Sequence, residues 1–181
     1  MDTFDFVIVG SGAAGSLLAA RLSEGGKHSV CVLEAGPPDT SPWIRIPAGV
    51  MKTIFDPGHT FQYYAEPLPG TAERRVLVIL GRTVGGGTSV NGMLIVRGQP
   101  QDYDTWAARG NPGWSYAEVL PYFKRFEQRI DLQGRPIGDD RYRGHAGALP
   151  VADYRFKDTL CDAFIDSAVA CGMPRHDGRS A

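Results

Sequence analysis

The sequence predicts an α/β fold, and three consecutive patterns near the N-terminus carry this prediction. An apolar run over residues 4–9 leads into the glycine-rich turn 10–15 (Gly-Ser-Gly-Ala-Ala-Gly), and a helix-like run over residues 13–22 follows. A second apolar run, Val30–Leu33, ends in Glu34. Strand, glycine turn, helix, strand and acidic residue in this order are typical of a Rossmann-like βαβ unit that holds the ADP half of a dinucleotide.

Each glycine of the turn has a separate role in this interpretation. Gly10 permits the tight exit from the strand, Gly12 lets the backbone approach a pyrophosphate, and Gly15 lets the helix pack close to the strands. The pyrophosphate meets free N–H groups at the helix N-terminus, where the helix dipole favours negative charge. Glu34 follows Gly15 at close to the spacing of about 20 residues that suits an acceptor for a ribose 2′-OH, and its charge disfavours NADP. These residues alone leave NAD and FAD open as the dinucleotide.

Composition and charge indicate an ordinary globular protein. The chain has 181 residues, of which 43% are hydrophobic and 22% charged, so it can bury a core and fits one domain or one lobe of a larger one. The net charge of −1 and the lack of an aromatic-plus-basic cluster argue against a nucleic-acid partner. No apolar stretch approaches the length of about 18 residues that a transmembrane helix needs, so we expect no membrane partner.

The cysteines and the N-terminal residues indicate the cellular compartment of the protein. Cys31 lies in an apolar strand and is expected to be a small core residue, whereas Cys161 and Cys171 fall on a later helix. An odd number of cysteines without a CxxC motif favours a reducing compartment. The start Met1-Asp2-Thr3 lacks the basic region of a signal peptide. We therefore expect a cytoplasmic protein.

Beyond Glu34 the pattern predicts loops and extended segments. Residues 39–58 are predicted to be loop-rich with scattered apolar anchors, and residues 61–65 to be extended. Residues 76–80 form a continuous apolar run between Arg75 and Gly81, which is typical of a buried strand.

A second glycine cluster follows this strand at residues 81–92 (Gly-Arg-Thr-Val-Gly-Gly-Gly-Thr-Ser-Val-Asn-Gly). Its small residues offer several backbone N–H donors with little steric cover, which suits close contact with a phosphate or a flat ring. The alternative is a flexible surface linker. Apolar residues flank the cluster on both sides, at 76–80 and 93–96, and a loop between such segments is more typical of a binding site.

Three helices are predicted in the second half of the chain. The first spans residues 102–109 and stops at Gly110. The second opens at a capping box formed by Ser115 and Glu118, and Pro121 should kink or split it. Residues 131–147 are predicted to be a polar surface loop.

The third predicted helix, over residues 158–171, is amphipathic. Leu160, Phe164, Ala168 and Cys171 share one face, and Gly172 supplies the stop. We therefore expect Cys171 to be a packing residue on this face, and the same expectation is weaker for Cys161.

Three other constellations are set aside. Residues 87–91 resemble a nucleophile elbow but lack the last glycine of GxSxG, so a hydrolase is disfavoured. The four histidines are scattered and form no metal-binding motif, so no metal is expected. Asp102 and Asp104 face apart at helical spacing and are better explained as caps at a helix start.

At the second glycine cluster the sequence resembles a known family. Residues 81–93, running on through Arg97-Gly98 and residues 102–106, resemble the first signature of the glucose–methanol–choline (GMC) flavin oxidoreductases. Further matching segments are residues 10–15, 33–36, 46–49, 64–67 and 113–114, with Arg143-Gly144 and Gly147. The resemblance covers nearly the whole chain, from about Phe4 to Asp177.

The resemblance implies FAD as the cofactor. Ser11 to Ala14 would face the pyrophosphate, Glu34 the adenosine ribose, and Asn91 to Leu94 the isoalloxazine ring. Backbone N–H groups near a flavin can stabilise the charge that develops on reduction. The complete set of cofactor-binding residues implied in this way is Gly10, Ser11, Gly12, Ala13, Ala14, Gly15, Glu34, Ala35, Arg82, Val84, Gly85, Gly86, Gly87, Thr88, Asn91, Gly92, Met93 and Leu94.

Two departures from the family pattern affect the flavin site. Some members have a histidine at the position of Val90 and attach FAD covalently through it, so FAD should be noncovalent here. The family often has an aromatic residue at the position of Ile95, which leaves the local packing near the flavin open.

In domain terms the resemblance implies the N-terminal part of an FAD-binding domain over residues 1–181. Within it lie the βαβ unit at 1–36, a second flavin-contacting segment at 81–106, and at 144–181 the start of the segment that leads to the remainder. The expected fold is thus an incomplete Rossmann-like FAD-binding domain, with loop-rich and helical insertions leading toward a missing substrate domain.

The resemblance also implies a reaction. A choline dehydrogenase-like flavoprotein of this family oxidises the CH–OH group of an alcohol: a histidine takes the hydroxyl proton while hydride passes to flavin N5. No residue of this chain matches that histidine or its partner, so none is assigned a catalytic role, and the histidine would lie in the missing segment or in a C-terminal chain. The alternative is a truncated, catalytically inactive fragment or nucleotide-binding module. A third hypothesis, an NAD-binding module, is disfavoured by the second glycine cluster.

Overall fold

The computed structural model describes residues 2–153 and 158–175, and the chain divides into two units. The first unit is Met1–Leu94 and the second is Ile95–Ala181. The division falls inside the predicted flavin-contacting segment 81–106. Parts of the predicted segment 144–181 lie outside the described residues, and so do His176 and Asp177.

The first unit begins with the predicted βαβ arrangement. Strand β1 (Phe6–Val9) pairs in parallel with strand β2 (Val30–Leu33), and helix α1 (Ala13–Ser23) connects them. In this register Phe6 lies beside Val30 and Val9 beside Leu33. Both strands consist almost entirely of β-branched or large apolar residues, which suit extended backbone. Cys31, predicted to be a core residue, is half-buried in β2.

The segment predicted to be loop-rich contains three short helical turns instead. They are helix α2 (Pro42–Arg45), a 3₁₀ turn (Pro47–Gly49) and helix α3 (Val50–Thr53). Pro42 and Pro47 each open a turn because their fixed φ angle suits the first helical position and no N–H bond is lost there. The loop prediction did not take this helix-starting role of proline into account.

An antiparallel pair of strands completes the sheet structure of the first unit. Strand β3 (Thr60–Tyr64) runs antiparallel to strand β4 (Leu77–Gly81), with Thr60 opposite Gly81. The bounds of both strands lie within one residue of the prediction, but the predicted burial of residues 76–80 is wrong. Leu80 is 52% exposed, because within the described residues the two strands form a sheet on their own and no second layer covers it.

Polar contacts replace a conventional core in this unit. Helix α4 (Gly87–Val90) ends at Val90, which at 5% exposure is the one buried hydrophobic side chain of residues 2–153 and 158–175. Thr83 is fully buried, and its hydroxyl donates to the Pro37 carbonyl at 2.8 Å. The unit is therefore held largely by hydrogen bonds that join distant segments.

The second unit contains the predicted helices. Helix α5 (Pro100–Ala108) ends before Gly110, and helix α6 (Tyr116–Phe126) begins with the predicted capping box of Ser115 and Glu118. Helix α6 runs through Pro121 without a break, so of the predicted kink or split the split does not occur. The cap at its start and the edge-to-face contact of Phe123 with Tyr103 hold the helix although Pro121 supplies no N–H.

The two aspartates near α5 both act as caps, as predicted. Asp102 accepts from the Gln99 N–H at the start of α5, at 2.8 Å. Asp104 instead accepts from the Tyr116 N–H at 2.9 Å, and so caps the next helix along the chain.

A buried charged cluster ties α6 to the loop that follows. Strand β5 (Glu127–Ile130) pairs in parallel with strand β6 (Leu149–Ala152), and the polar segment between them is the predicted surface loop. Glu127 is only 1% exposed and forms ion pairs with Arg97 and with Arg143. Such a buried carboxylate requires this pairing, since an isolated charge is expensive to bury.

Helix α7 (Thr159–Ala170) lies within the predicted bounds but lacks the predicted burial. The Asp158 side chain accepts from the Leu160 N–H. Leu160 and Phe164 are each 77% exposed, and Cys161 and Cys171 are exposed as free thiols. Within the described part of the chain no element packs on this apolar face, so the packing role assigned to the two cysteines is wrong. No helix of the described part is long and apolar enough to cross a membrane.

The cap of α6 predicts a measurable stability difference. Ser115→Ala removes the hydroxyl that donates to Glu118 and is expected to lower the free energy of unfolding by about 1 kcal/mol. Urea unfolding followed by circular dichroism measures this difference. Ser167→Ala, which removes a hydroxyl in the interior of α7, is the matched control and should change the stability by much less. Equal losses in both variants would contradict the capping role.

Candidate cofactor site

A cleft of about 610 Å³ opens where β1 and β2 end, within the first unit. Ligands of open α/β sheets bind outside the carboxyl ends of the strands, which is where this cleft lies. Its walls combine apolar side chains, bare glycine backbone and one carboxylate. The lining residues are Val9, Gly10, Gly12, Leu33, Glu34, Ala35, Phe61, Ile79, Leu80, Gly81, Gly86 and Gly87.

Helix α1 presents an open N-terminus beside this cleft. Gly12 is its N-cap residue and makes no side-chain cap, and the first turn contains no acidic residue. The first N–H groups of a helix have no partner within the helix. Ala13 and Ala14 are exposed and carry only methyl groups, so the helix start is accessible to an anion such as a pyrophosphate.

Gly15 allows the helix to lie directly on the turn. A Cβ atom at this position would stand 1.9 Å from the Gly10 carbonyl oxygen, a distance that real atoms do not reach. The packing role predicted for Gly15 therefore corresponds to a specific backbone contact.

Gly86 brings the second glycine cluster against the first. Its φ angle is +56°, and a Cβ atom there would lie 2.9 Å from the Gly12 Cα. The neighbouring Gly85 N–H donates to the Ser11 carbonyl at 3.1 Å. The two glycine segments, distant in the sequence but adjacent in space, thus form one surface of bare backbone.

Glu34 is held in the cleft wall by three hydrogen bonds. Its Oε2 accepts from the Ser11 N–H at 2.8 Å and from the Ser11 hydroxyl at 2.7 Å, and its Oε1 accepts from the Gly36 N–H at 2.9 Å. The bonds from Ser11 hold the pKa of Glu34 below its ordinary value of 4.5. The group is therefore an ionised acceptor at neutral pH, as a ribose-binding acid must be.

Arg82 adds a cationic group next to the cleft. Its guanidinium lies over the ring of Phe61, with the guanidinium carbon 5.3 Å from the ring centroid. Its Nε is buried and has no hydrogen-bond partner in the part of the chain that the structure describes. Burying an unsatisfied donor is unfavourable, so a hydrogen-bond acceptor at this atom would be stabilising.

The remaining predicted residues lie apart from this cleft. Thr88, Asn91 and Met93 line a separate cavity of about 210 Å³ together with Trp43 and Ile46. Met93 has a φ angle of 57° and its N–H donates to Asn91 Oδ1 at 2.8 Å, so the chain turns sharply there. Val84, Gly92 and Leu94 are exposed and line neither cavity.

Sequence reasoning missed the contribution of the β3–β4 pair. Phe61, Ile79 and Leu80 form an apolar wall of the cleft, although no motif marks them. One indication was available, because β4 ends at Gly81, where the second glycine cluster begins. The strand that leads into a binding loop can contribute its own last side chains to the site.

The chemistries set aside above find no support in the geometry. The Ser89 hydroxyl donates to the Val84 carbonyl at 2.7 Å, rather than to a histidine base. His59 pairs with Asp56, and His145 pairs with Asp140. Over residues 2–153 and 158–175 no group of three or more potential metal ligands is brought together.

The family model described as GMC oxidoreductase matches residues 4–179. This chain belongs to the GMC oxidoreductase family. The match covers both glycine clusters and confirms the resemblance on which the FAD prediction depends.

Curated relatives of this GMC oxidoreductase chain are named oxygen-dependent choline dehydrogenase. The protein of Rhizobium etli (strain CIAT 652) is 42% identical over 173 residues, which are 96% of this chain and 30% of the relative. That of Photobacterium profundum is 40% identical over 179 residues, which are 97% of this chain and again 30% of the relative. The chain thus spans about 30% of the length of the curated relatives it matches.

Solved structures confirm the fold class. The crystal structure of pyridoxine 4-oxidase from Mesorbium loti matches 97% of this chain and 33% of its own chain, with a TM-score of 0.83 and 36% identity. An FAD-dependent oxidoreductase from Chaetomium thermophilum matches 95% of this chain and 30% of its own, with a TM-score of 0.78 and 32% identity. The predicted FAD-binding fold is confirmed, and FAD is supported as the cofactor of this GMC chain.

The contact at Gly15 predicts a strict requirement for glycine. Gly15→Ala places a methyl group on the Gly10 carbonyl, and we expect loss of several kcal/mol of stability or failure to fold. Thermal unfolding measures this loss. Gly70→Ala, where no atom lies within 4 Å of the added Cβ, should unfold close to the parent temperature. A Gly15→Ala variant as stable as the parent would contradict the close packing of α1 on the turn.

The hydrogen bonds of Glu34 predict a pH-dependent stability. Because its folded pKa lies below 4.5, Glu34 stabilises the fold above pH 4.5, and this contribution is lost as the pH falls through the folded pKa. Glu34→Gln removes the titrating group. The difference in urea midpoint between parent and variant should therefore be largest near neutral pH and shrink at acidic pH. A difference that does not depend on pH would contradict this role.

Proposed function

We propose that this chain binds FAD noncovalently and forms the cofactor-holding part of an enzyme that oxidises the CH–OH group of an alcohol. One observation carries the proposal: the cleft joins an uncapped helix N-terminus, bare glycine backbone from two segments and an ionised acid. A pyrophosphate requires the helix N-terminus, its close approach to the chain requires the bare glycine backbone, and a ribose requires the acid. Membership of the GMC oxidoreductase family supports FAD rather than NAD.

The residues divide between the parts of the cofactor. We assign the pyrophosphate to Gly12, Ala13 and Ala14 at the start of α1, and the ribose to Glu34 and Ala35. The Ser11 N–H is already donated to Glu34, so Ser11 serves the ribose side rather than the phosphates.

The second segment is assigned to the outer phosphate and the flavin. Arg82 and residues 84–88 follow the phosphates toward the ring, and residues 91–94 border the isoalloxazine. The unpaired Nε of Arg82 and the sharp turn at Met93 support this assignment.

Noncovalent attachment follows from the side chain at position 90. Val90 is a hydrocarbon buried at 5% exposure, so it has no nucleophilic atom to bond a flavin carbon.

FAD would supply the hydride acceptor of the reaction, at its N5 atom. This chain would bind and orient the cofactor, with Phe61, Ile79 and Leu80 as an apolar wall of the cleft. No histidine of the described residues lines either cavity of the first unit. We therefore propose that the proton acceptor is a histidine outside this chain.

An alcohol as substrate is supported by the names of the relatives. Choline and pyridoxine, which appear in the names of a curated relative and of a structural neighbour, both carry a primary hydroxyl group. The proposed cofactor site does not select among alcohols, because its residues are assigned to the dinucleotide.

Titration of the purified chain with FAD tests the proposal. We expect saturable binding, seen as a change in flavin absorbance and fluorescence, with intact FAD released on denaturation. Gly86→Ala should weaken binding by roughly tenfold or more, because the added Cβ strains a positive φ angle and enters the Gly12 contact. Gly70→Ala is the control and should bind like the parent.

Other outcomes identify the alternatives. Binding of ADP without binding of FAD would favour a nucleotide-binding module, and a folded chain that binds neither would favour an inactive fragment. Oxidation of an alcohol by this chain alone would overturn the proposal that the proton acceptor lies elsewhere.

A further inference from the structure

Ser11 is the residue at which three segments of the first unit meet. It follows β1, its side chain reaches Glu34 after β2, and its backbone and side chain both contact Gly85 of the second glycine cluster. Ser11 is 8% exposed, so these bonds are shielded from water. The glycine motif specifies only the glycines around it, and no pattern in the sequence marks its side chain.

The Ser11 hydroxyl has one proton, which fixes the direction of its hydrogen bonds. An ionised carboxylate can only accept, so the single hydroxyl proton goes to Glu34 Oε2 at 2.7 Å. The hydroxyl oxygen keeps its lone pairs, and the Gly85 N–H shares its hydrogen between the Ser11 carbonyl at 3.1 Å and this hydroxyl oxygen at 3.3 Å. The result is a one-way chain from the Gly85 N–H through the Ser11 O–H to Glu34.

This chain of hydrogen bonds orients the Glu34 carboxylate. Both Ser11 donors converge on Oε2, whereas Oε1 accepts from the Gly36 N–H at 2.9 Å. A carboxylate has about four acceptor positions, so Oε1 is the oxygen with more capacity for another donor. Glu34 also lines the cleft, which makes a ligand hydroxyl the natural source of that donor.

A purely structural role does not account for the hydroxyl. The Ser11 carbonyl already holds the turn, because it accepts from the Ser16 hydroxyl at 2.6 Å and from the Gly85 N–H at 3.1 Å. These bonds use the backbone of residue 11, which any amino acid supplies. The hydroxyl contributes only the link to Glu34 and its coupling to the second glycine cluster.

We propose that Ser11 is a positioning residue that sets the Glu34 carboxylate to accept the ribose 2′-OH and couples this recognition to the second glycine cluster. The inference rests on the proposed binding of an ADP-containing cofactor. It assigns to the Ser11 hydroxyl a share of the selectivity that Glu34 has for a ribose over a 2′-deoxyribose.

Calorimetric titration of the full chain with ADP and with 2′-deoxy-ADP tests this inference. For the parent, the ratio of the dissociation constant for 2′-deoxy-ADP to that for ADP should be about ten. This is the value of one hydrogen bond to a charged group. Ser11→Ala should lower this ratio by about fivefold, chiefly through weaker ADP binding. Glu34→Gln should lower it further, and adding Ser11→Ala to Glu34→Gln should have no additional effect on the ratio, because both changes remove the same contact.

Two further variants separate positioning from folding. Ser16→Ala removes a hydroxyl from the same turn without touching Glu34 and should keep the ratio of the parent. Ser11→Cys keeps a side chain of similar shape but donates weakly, so it should lower the ratio as Ser11→Ala does, and it provides a second variant if Ser11→Ala fails to fold. A parent ratio retained in Ser11→Ala or in Ser11→Cys would overturn the inference while leaving cofactor binding intact. A folded parent that binds neither nucleotide would overturn the proposed function and the inference with it.

Discussion

The structure of the first unit depends on backbone packing between glycine segments. Helix α1 lies on the Gly10 carbonyl because Gly15 has no Cβ, and the second glycine cluster reaches the first because Gly86 has none either. With a single buried hydrophobic side chain in the part of the chain described, these backbone contacts and the hydrogen bonds between segments hold the unit together. The contacts that form the fold are therefore the same contacts that form the cofactor cleft. At Gly15 or Gly86, any side chain larger than hydrogen would separate these segments and so disrupt both the fold and the cleft.

Polar groups complete the joining of the glycine segments. Ser11 binds Glu34 and also accepts from the Gly85 N–H of the second segment, and Thr83 ties the second segment to the Pro37 carbonyl. Hydrogen bonds of this kind contribute modestly when made and are costly when one partner is left unpaired. A site built from them is preorganised, because the donors already point in fixed directions before a ligand arrives. In the second unit the Glu127 ion pairs have a comparable role.

The failed predictions of burial share a cause. Residues 76–80 and the apolar face of α7 have patterns typical of buried elements, yet Leu80 and Phe164 are largely exposed. A pattern reports which face of an element is apolar, but the layer that covers the face comes from elsewhere in the chain. Pro121 illustrates the same point for a helix, because its cap and aromatic contacts outweigh the local preference for a break.

The sequence by itself determined the βαβ unit, its acid and the family of the chain. These features are local: strand and helix periodicities, glycines at fixed offsets and Glu34 at the end of β2 are all visible in a short segment. Only the tertiary structure decided that Phe61, Ile79 and Leu80 line the cleft and that Ser11 binds Glu34. It also separated Thr88, Asn91 and Met93 into a second cavity. The physical reason is that contacts between distant segments depend on how whole elements pair and pack, which no local pattern of residues encodes.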